Sequence, residues 1–589
     1  MNKCTEEIFM KKIGVVLLAS LLALGSVGSF GCGRGDGIKI DKDKTQLYVA
    51  TFDGGYGRAW LDAVGARFEE AYAGVSFESG KTGVQVLIKA DRELTQQSLV
   101  NNLSGDLYEV FFTEAVNYYD LQSRGLLYDI SEAITKPLNY DFQSGTTVSG
   151  QEEVSIQDKM RAVHSEYFQA DDGKYYGMPF YEANYGIVYD IDLFESELLY
   201  FAAEDEGDED GFILDEETPR SNGPDGEFGT SDDGLPATYD DFFKLCDTMV
   251  SKKITPITWT GATPTYVNTI AEALQADYEG EKNMRVNYTF DGTTVDLIEA
   301  INPDGTLELY NESITYENGY LSWTRQPGKY YGLKFIERLT SNENYFSKSD
   351  VIGDYYDQVT AQNAFILDKF IPGSKPIAML VDGSWWHNEA EELFKAATKK
   401  YGVKASSENR RFGFMPLPKA TPDKVGEPST VLETNSSICF VNGNLNTKKD
   451  KLVKEFIQFC HTNESLEEFT SITYSCKPYE YEMAEEKVNA MPYWGQELYR
   501  LHNEAHFISN YSKHPLYKQN AGKFTEYFTA EMFKSIVKIN GKDNTVHVVS
   551  STMIKNGISA EEYFNGLAKY MTQKEWEDNF IPTSLKTQA

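Results

Sequence analysis

Short apolar runs alternate with stretches of helical period along most of this 589-residue chain. Gln46 to Phe52 reads as a strand, Ala59 to Tyr72 as a helix with its apolar stripe at Trp60, Leu61, Val64 and Phe68, and Val84 to Ile88 as a second strand. Tyr108 to Phe112 is apolar enough for a strand covered on both faces, and the spacing predicts a helix over Ala115 to Ser123. Further strands are expected at Gly186 to Tyr189, Ile377 to Val381 and Ser437 to Val441, and helices at Phe242 to Val250 and Leu452 to Cys460. This alternation predicts an α/β fold built on mostly parallel sheets. The length predicts two lobes rather than one core.

The front of the chain follows another pattern. Lys11 and Lys12 precede an apolar run from Ile13 to Leu24 and a small-residue zone that ends at Gly31 and Cys32. Residues 1–31 thus have the layout of a secretory signal peptide, with an apolar core too short to span a bilayer comfortably. Glu6 and Glu7 suit a positive n-region poorly, so translation is expected to start at Met10. Ser29-Phe30-Gly31-Cys32 resembles the lipobox of bacterial lipoproteins, departing from it at the first position, where Leu is usual. The resemblance implies acylation of Cys32 and a tether over residues 32–44.

Charge narrows the partners. Lys plus Arg total 55 against 90 Asp plus Glu, a net charge of −35 that repels nucleic acid and anionic headgroups. Membrane contact is therefore expected through the lipid alone. Outside the leader, Cys246, Cys439, Cys460 and Cys476 show neither a CxxC nor zinc spacing, so buried thiols are expected, with Cys460 and Cys476 the local pair to check for a disulfide. Motifs for a nucleophile elbow, a zinc protease or a phosphate loop are absent. Aromatics reach 13%, including 38 Tyr and 7 Trp, and such rings suit the faces of an amphipathic ligand.

Four segments, in order, resemble the extracellular solute-binding proteins of bacterial ABC importers, in the carbohydrate branch. They are Gly105 to Val110 with Arg124-Gly125-Leu126-Leu127, then Gly173 to Asp190, then Ile377 to Trp386, and last Ser437 to Val441 with the helix Lys451 to Cys460. The resemblance implies a two-lobed periplasmic-binding-protein-like fold with a ligand cleft between the lobes. It assigns residues 45–181 and about 437–475 to an N-terminal lobe, and 182–436 and about 476–589 to a C-terminal lobe. It also implies an oligosaccharide ligand, an ABC permease as partner and no catalysis, and a monomer is expected. Trp385, in a Gly-x-Trp turn, is the first candidate for stacking on a sugar, and Trp386 is expected to point into the lobe. Trp259, Trp494 and Tyr181 are further ring candidates, and Glu182, Asp53, Glu114 and Asn117 are candidates for hydroxyl groups. Phe112, Ala115 and Val116 stand where a maltodextrin binder has Trp, Asp and Arg, which argues against maltodextrin itself. Two other readings stay open: the same fold serving a non-sugar solute or a sensor, and a glycan hydrolase using two facing carboxylates.

Residues 197–236 form an acidic insertion before a helix expected near Tyr239, capped by Thr238 and Asp241. Glu206, Asp208, Asp210 and Glu217, with Gly211, follow the spacing of an EF-hand loop, with Glu replacing the usual Asp at its first position. Asp225, Asp232 and Asp233 add a second run of Asp and Gly. A structural Ca2+ is expected here, against the alternative of a solvated acidic loop; no other cofactor is expected.

Overall fold

The computed structural model describes residues 39–150, 152–433, 437–520 and 528–586; the leader, with Cys32, lies outside the described residues. Two sheets organise the unit formed by Asp43–Ala589. The first has the strand order Val84–Asp91, Thr45–Phe52, Val110–Thr113, Ile438–Val441, Gly177–Met178. The second has the order Phe412–Met415, Tyr185–Asp190, Ile377–Gly383, Thr255–Thr258.

The sheets are mixed rather than mostly parallel. Thr45–Phe52 runs parallel to both of its neighbours, but Ile438–Val441 enters from the other sheet and pairs antiparallel with Val110–Thr113 and with Gly177–Met178. In the second sheet only the pairing of Ile377–Gly383 with Thr255–Thr258 is parallel. A strand that crosses from the opposite side arrives in the reverse direction, which a helical return within one sheet would not allow.

The apolar pattern explains the packing. Helix Ala59–Ala71 buries Trp60, Leu61, Val64 and Phe68 against the first sheet, and Val110–Thr113 and Ile377–Gly383 are buried at every position, as a strand covered on both faces must be. The predicted capping box of helix Tyr239–Ser251 is present: Asp241 N donates to Thr238 Oγ1 at 3.2 Å, and Thr238 N to Asp241 Oδ2 at 3.0 Å. The helix after Val110–Thr113 begins later than its sequence suggests, at Tyr118, because Ala115 takes a left-handed turn (φ 53°).

Most of the aromatic richness went into the core. All seven Trp are buried, and Trp385 is the most exposed of them at 7%. The four cysteines are free buried thiols, so Cys460 and Cys476 form no disulfide. Among the described residues no helix is long and apolar enough to cross a membrane.

Three chain crossings join the sheets. The segment between Met178 and Tyr185 is the first, Glu433 leads into the second, and Cys476 lies in the third. They are tied side by side: Glu182 N donates to Cys476 O at 3.0 Å, and Asn184 bridges Glu433.

Candidate functional site

A cavity of about 470 Å³ opens between residues of the two sheets. Its walls follow from local sequence. Strand Thr45–Phe52 ends in Asp53-Gly54-Gly55-Tyr56-Gly57, and the chain can turn sharply there because Gly55 (φ 51°) and Gly57 (φ 63°) adopt the left-handed region at little cost. This loop reaches the other side: Asn388 Nδ2 donates to Gly55 O at 2.7 Å, and the buried Tyr56 hydroxyl donates to Glu182 O at 2.7 Å and lies 3.0 Å from Ser384 Oγ.

The Gly-x-Trp turn has a clear steric reason. The indole of Trp385 folds back over Gly383, where a Cβ would stand 2.3 Å from the ring. The ring is held edge-on by Tyr185 at 4.8 Å between centroids, and Tyr185 is held by Tyr266 at 5.1 Å. Trp385, Tyr185, Tyr266 and Tyr181 thus give the cavity an aromatic side. Asp53, Glu114 and Glu389 supply carboxylates, Arg92 the cation, and Thr263, Thr265, Thr269 and Gln358 further hydroxyl and amide groups.

Beneath Trp385 two acids share one amide. Gln362 Nε2 donates to Asp382 Oδ2 at 3.0 Å and to Glu389 Oε2 at 2.9 Å. Burial, and then the neighbouring Glu389 charge, push Asp382 up to about 8, and burial also raises Glu389. Between the ordinary carboxylate value, about 4, and this raised value the folded protein holds a proton that the unfolded chain has lost. This contribution to stability is therefore expected to fall as pH rises from about 4 to about 8, and Asp382→Asn is expected to make the slope shallower. Urea midpoints across this range check it; parallel curves for the two proteins would contradict it.

The structure brings together four of the eight ligand candidates read from sequence: Asp53, Glu114, Tyr181 and Trp385. Asn117 lies in an adjoining groove, its side chain used to cap helix Tyr118–Ser123 by accepting from Asp120 N at 3.0 Å. Trp259 and Trp494 correct the reading. Trp259 is fully buried against Phe346, and Trp494 packs in a cluster with Trp386 and Phe414, so neither ring has a face to offer. Trp386 points away from Trp385 into that same cluster.

Glu182 is likewise a hinge residue rather than a cleft acceptor. It is 3% exposed, and its Oε1 lies 2.5 Å from Arg161 Nη2 and 2.7 Å from His502 Nδ1. Burial alone would raise its carboxyl, but the Arg161 guanidinium and then His502 pull it below the ordinary value. A second buried pair, His164 Nε2 to Glu433 Oε2 at 3.0 Å, stands on the next crossing.

Tyr185, Tyr266 and Glu389 were missed. Glu389 lies four residues after Trp385, and Tyr266 shares the first turn of helix Thr265–Thr289 with Thr265 and Thr269, a pattern visible in the sequence once the helix start is known.

In this structure the acids of the insertion do not form a group of three converging ligand atoms among the described residues. Asp208 Oδ1 accepts from Asp210 N and Phe212 N, each at 2.9 Å, and Asp225 Oδ1 accepts from Glu227 N at 2.8 Å. Asp233 accepts from Gly229 N at 2.8 Å. Asp225 and Asp232 meet, Asp225 N donating to Asp232 Oδ2 at 3.2 Å, but no third acid joins them. Short Asp side chains in Gly-rich turns satisfy their own backbone, which competes with convergence on an ion. Among the described residues, the one group with three such ligand atoms within 4.8 Å is Glu182, Cys476 and His502, where the Arg161 cation already sits.

A cleft between two sheets joined by chain crossings, lined by both rings and carboxylates, has the make-up of a binding site for a small molecule. The chain belongs to the bacterial extracellular solute-binding proteins, whose family profile matches residues 66–492. Solved structures similar to it include the apo-form of RafE from Streptococcus pneumoniae, at 13% identity and a TM-score of 0.49, covering 91% of this chain and 99% of that one. A chitin oligosaccharide binding protein is similar at 16% identity and a TM-score of 0.48, covering 90% and 98%. No curated protein sequence matches the chain.

Proposed function

We propose that this protein captures an oligosaccharide in the Trp385 cleft and delivers it to an ABC permease, without catalysis. One observation carries the reading: an indole and three tyrosines line a single cavity together with acids, threonines and an amide. Sugars present apolar C–H faces bordered by hydroxyls, and this pairing of rings with hydrogen-bonding groups answers both. The reading includes anchoring through acylated Cys32 at the outer face of the cytoplasmic membrane, in keeping with the leader pattern.

The test is a thermal-shift screen of the protein from residue 33 onward against neutral oligosaccharides. A ligand at about a hundredfold over its dissociation constant adds about 2.7 kcal/mol to the folded state, so one glycan class is expected to raise Tm clearly. Silence across a broad panel, or a shift with amino acids or peptides instead, would sink the sugar reading. Release of shorter products from a bound glycan would overturn the absence of catalysis.

A further inference from the structure

We infer that the cleft continues past Trp385 into a second groove, and that the ligand is a linear, uncharged glycan long enough to lie in both. This rests on the oligosaccharide reading above. The cavity at Trp385 and a larger one of about 940 Å³ share four lining residues, Phe52, Arg92, Glu114 and Ala115, which form a saddle between them. Ligand sites of ordinary size span about 300–1,000 Å³, so the second groove alone has room for a ligand segment as large as the first.

The saddle is low because of Ala115. Its backbone is left-handed (φ 53°), a conformation that a non-glycine residue adopts only at a cost, and its side chain is a single methyl. A strained backbone held at the junction of two cavities fits a site that must keep a passage open.

The chemistry of the second groove is that of dipoles rather than net charge. Gln97, Gln122 and Gln519 line it, and each amide can both donate and accept, as a row of hydroxyls requires. Several of its charged groups already have partners: Lys518 Nζ lies 2.8 Å from Asp171 Oδ1, Asp120 Oδ1 lies 2.8 Å from Arg124 Nε, and the exposed Arg92 at the saddle lies 3.7 Å from Asp53 Oδ2. Gln96 fixes the wall, accepting from Asn117 N at 2.9 Å and donating to Asp120 Oδ2 at 2.8 Å. The acids Glu114, Asp120 and Asp171 outnumber the cations Arg92 and Lys518 along the groove and disfavour an anionic glycan, whereas a neutral one meets groups that pair with its hydroxyls in either direction.

The experiment is calorimetric titration of the protein from residue 33 onward with α-1,4- and β-1,4-linked glucose and N-acetylglucosamine series, from disaccharide to octasaccharide. The inference expects affinity to rise by at least about tenfold between the trisaccharide and the longest members. Gln97→Ala with Gln122→Ala, both at the groove surface, is expected to abolish that gain and leave the short oligomers within about twofold. A wild-type affinity that does not rise with length overturns the inference, as does a double variant that weakens short and long members alike. Failure of every oligosaccharide to bind overturns the sugar reading itself, and the inference with it.

Discussion

Replacing Trp385 with alanine is expected to weaken oligosaccharide binding roughly 30- to 150-fold, a loss of about 2–3 kcal/mol, because truncating a central aromatic anchor in a binding site costs that much. The indole is poised for this part: it sits in the cavity wall, fixed below by Gly383 and edge-on by Tyr185. Trp385→Phe keeps a smaller ring face and is expected to lose less. Trp386→Ala is the contrasting variant, since that ring is fully buried among Phe365, Phe412 and Trp494. It is expected to lower stability by about 3–5 kcal/mol, with affinity in the folded fraction unchanged. Titration calorimetry with the glycan found in the thermal screen decides the matter. Equal affinity for Trp385→Ala and the parent protein would remove Trp385 from the site.

The second large effect is expected at the crossings. Glu182→Ala leaves the Arg161 guanidinium, 17% exposed, without its carboxylate partner, and breaking a buried pair in this way costs about 3–5 kcal/mol. Acid dependence gives a specific check. The folded Glu182 carboxyl lies below its ordinary value, so its contribution is present above the unfolded value of about 4.3 and is lost as pH falls through the folded one. The deficit of the variant should therefore be full at neutral pH and shrink as pH falls below about 4. Chemical unfolding at both pH values measures it; a deficit independent of pH would show that packing, not charge, holds the crossing. Ligand affinity is expected to change less than stability, since Glu182 does not line the cavity.

The elements with the strongest periodic signal were legible from sequence. The stripe of Trp60, Leu61, Val64 and Phe68 fixed one face of a helix, and the uninterrupted apolar run at Ile377 to Val381 marked a strand buried on both sides. Thr238 with Asp241 marked a helix start because a capping box is a contact between residues three apart, which the sequence contains in full. The Gly-x-Trp turn was legible through the family resemblance, and the structure gives its local reason, since Gly383 and Trp385 pack on each other.

What depended on long-range contact could not be read. Trp259, Trp385 and Trp494 look alike as letters, yet only Trp385 reaches the cavity, because burial is decided by elements far apart in the chain. Glu182 resembled a cleft acid until Arg161 and His502, brought in by two other elements, enclosed it. The spacing of acids from Glu206 to Glu217 matched a calcium loop, but spacing along a chain fixes neither side-chain direction nor the competing backbone amides that hold Asp208. The sequence by itself determined periodicity, local caps, net charge and the family. The tertiary structure decided which rings and acids converge, because convergence is a property of the crossings that bring the two sheets together.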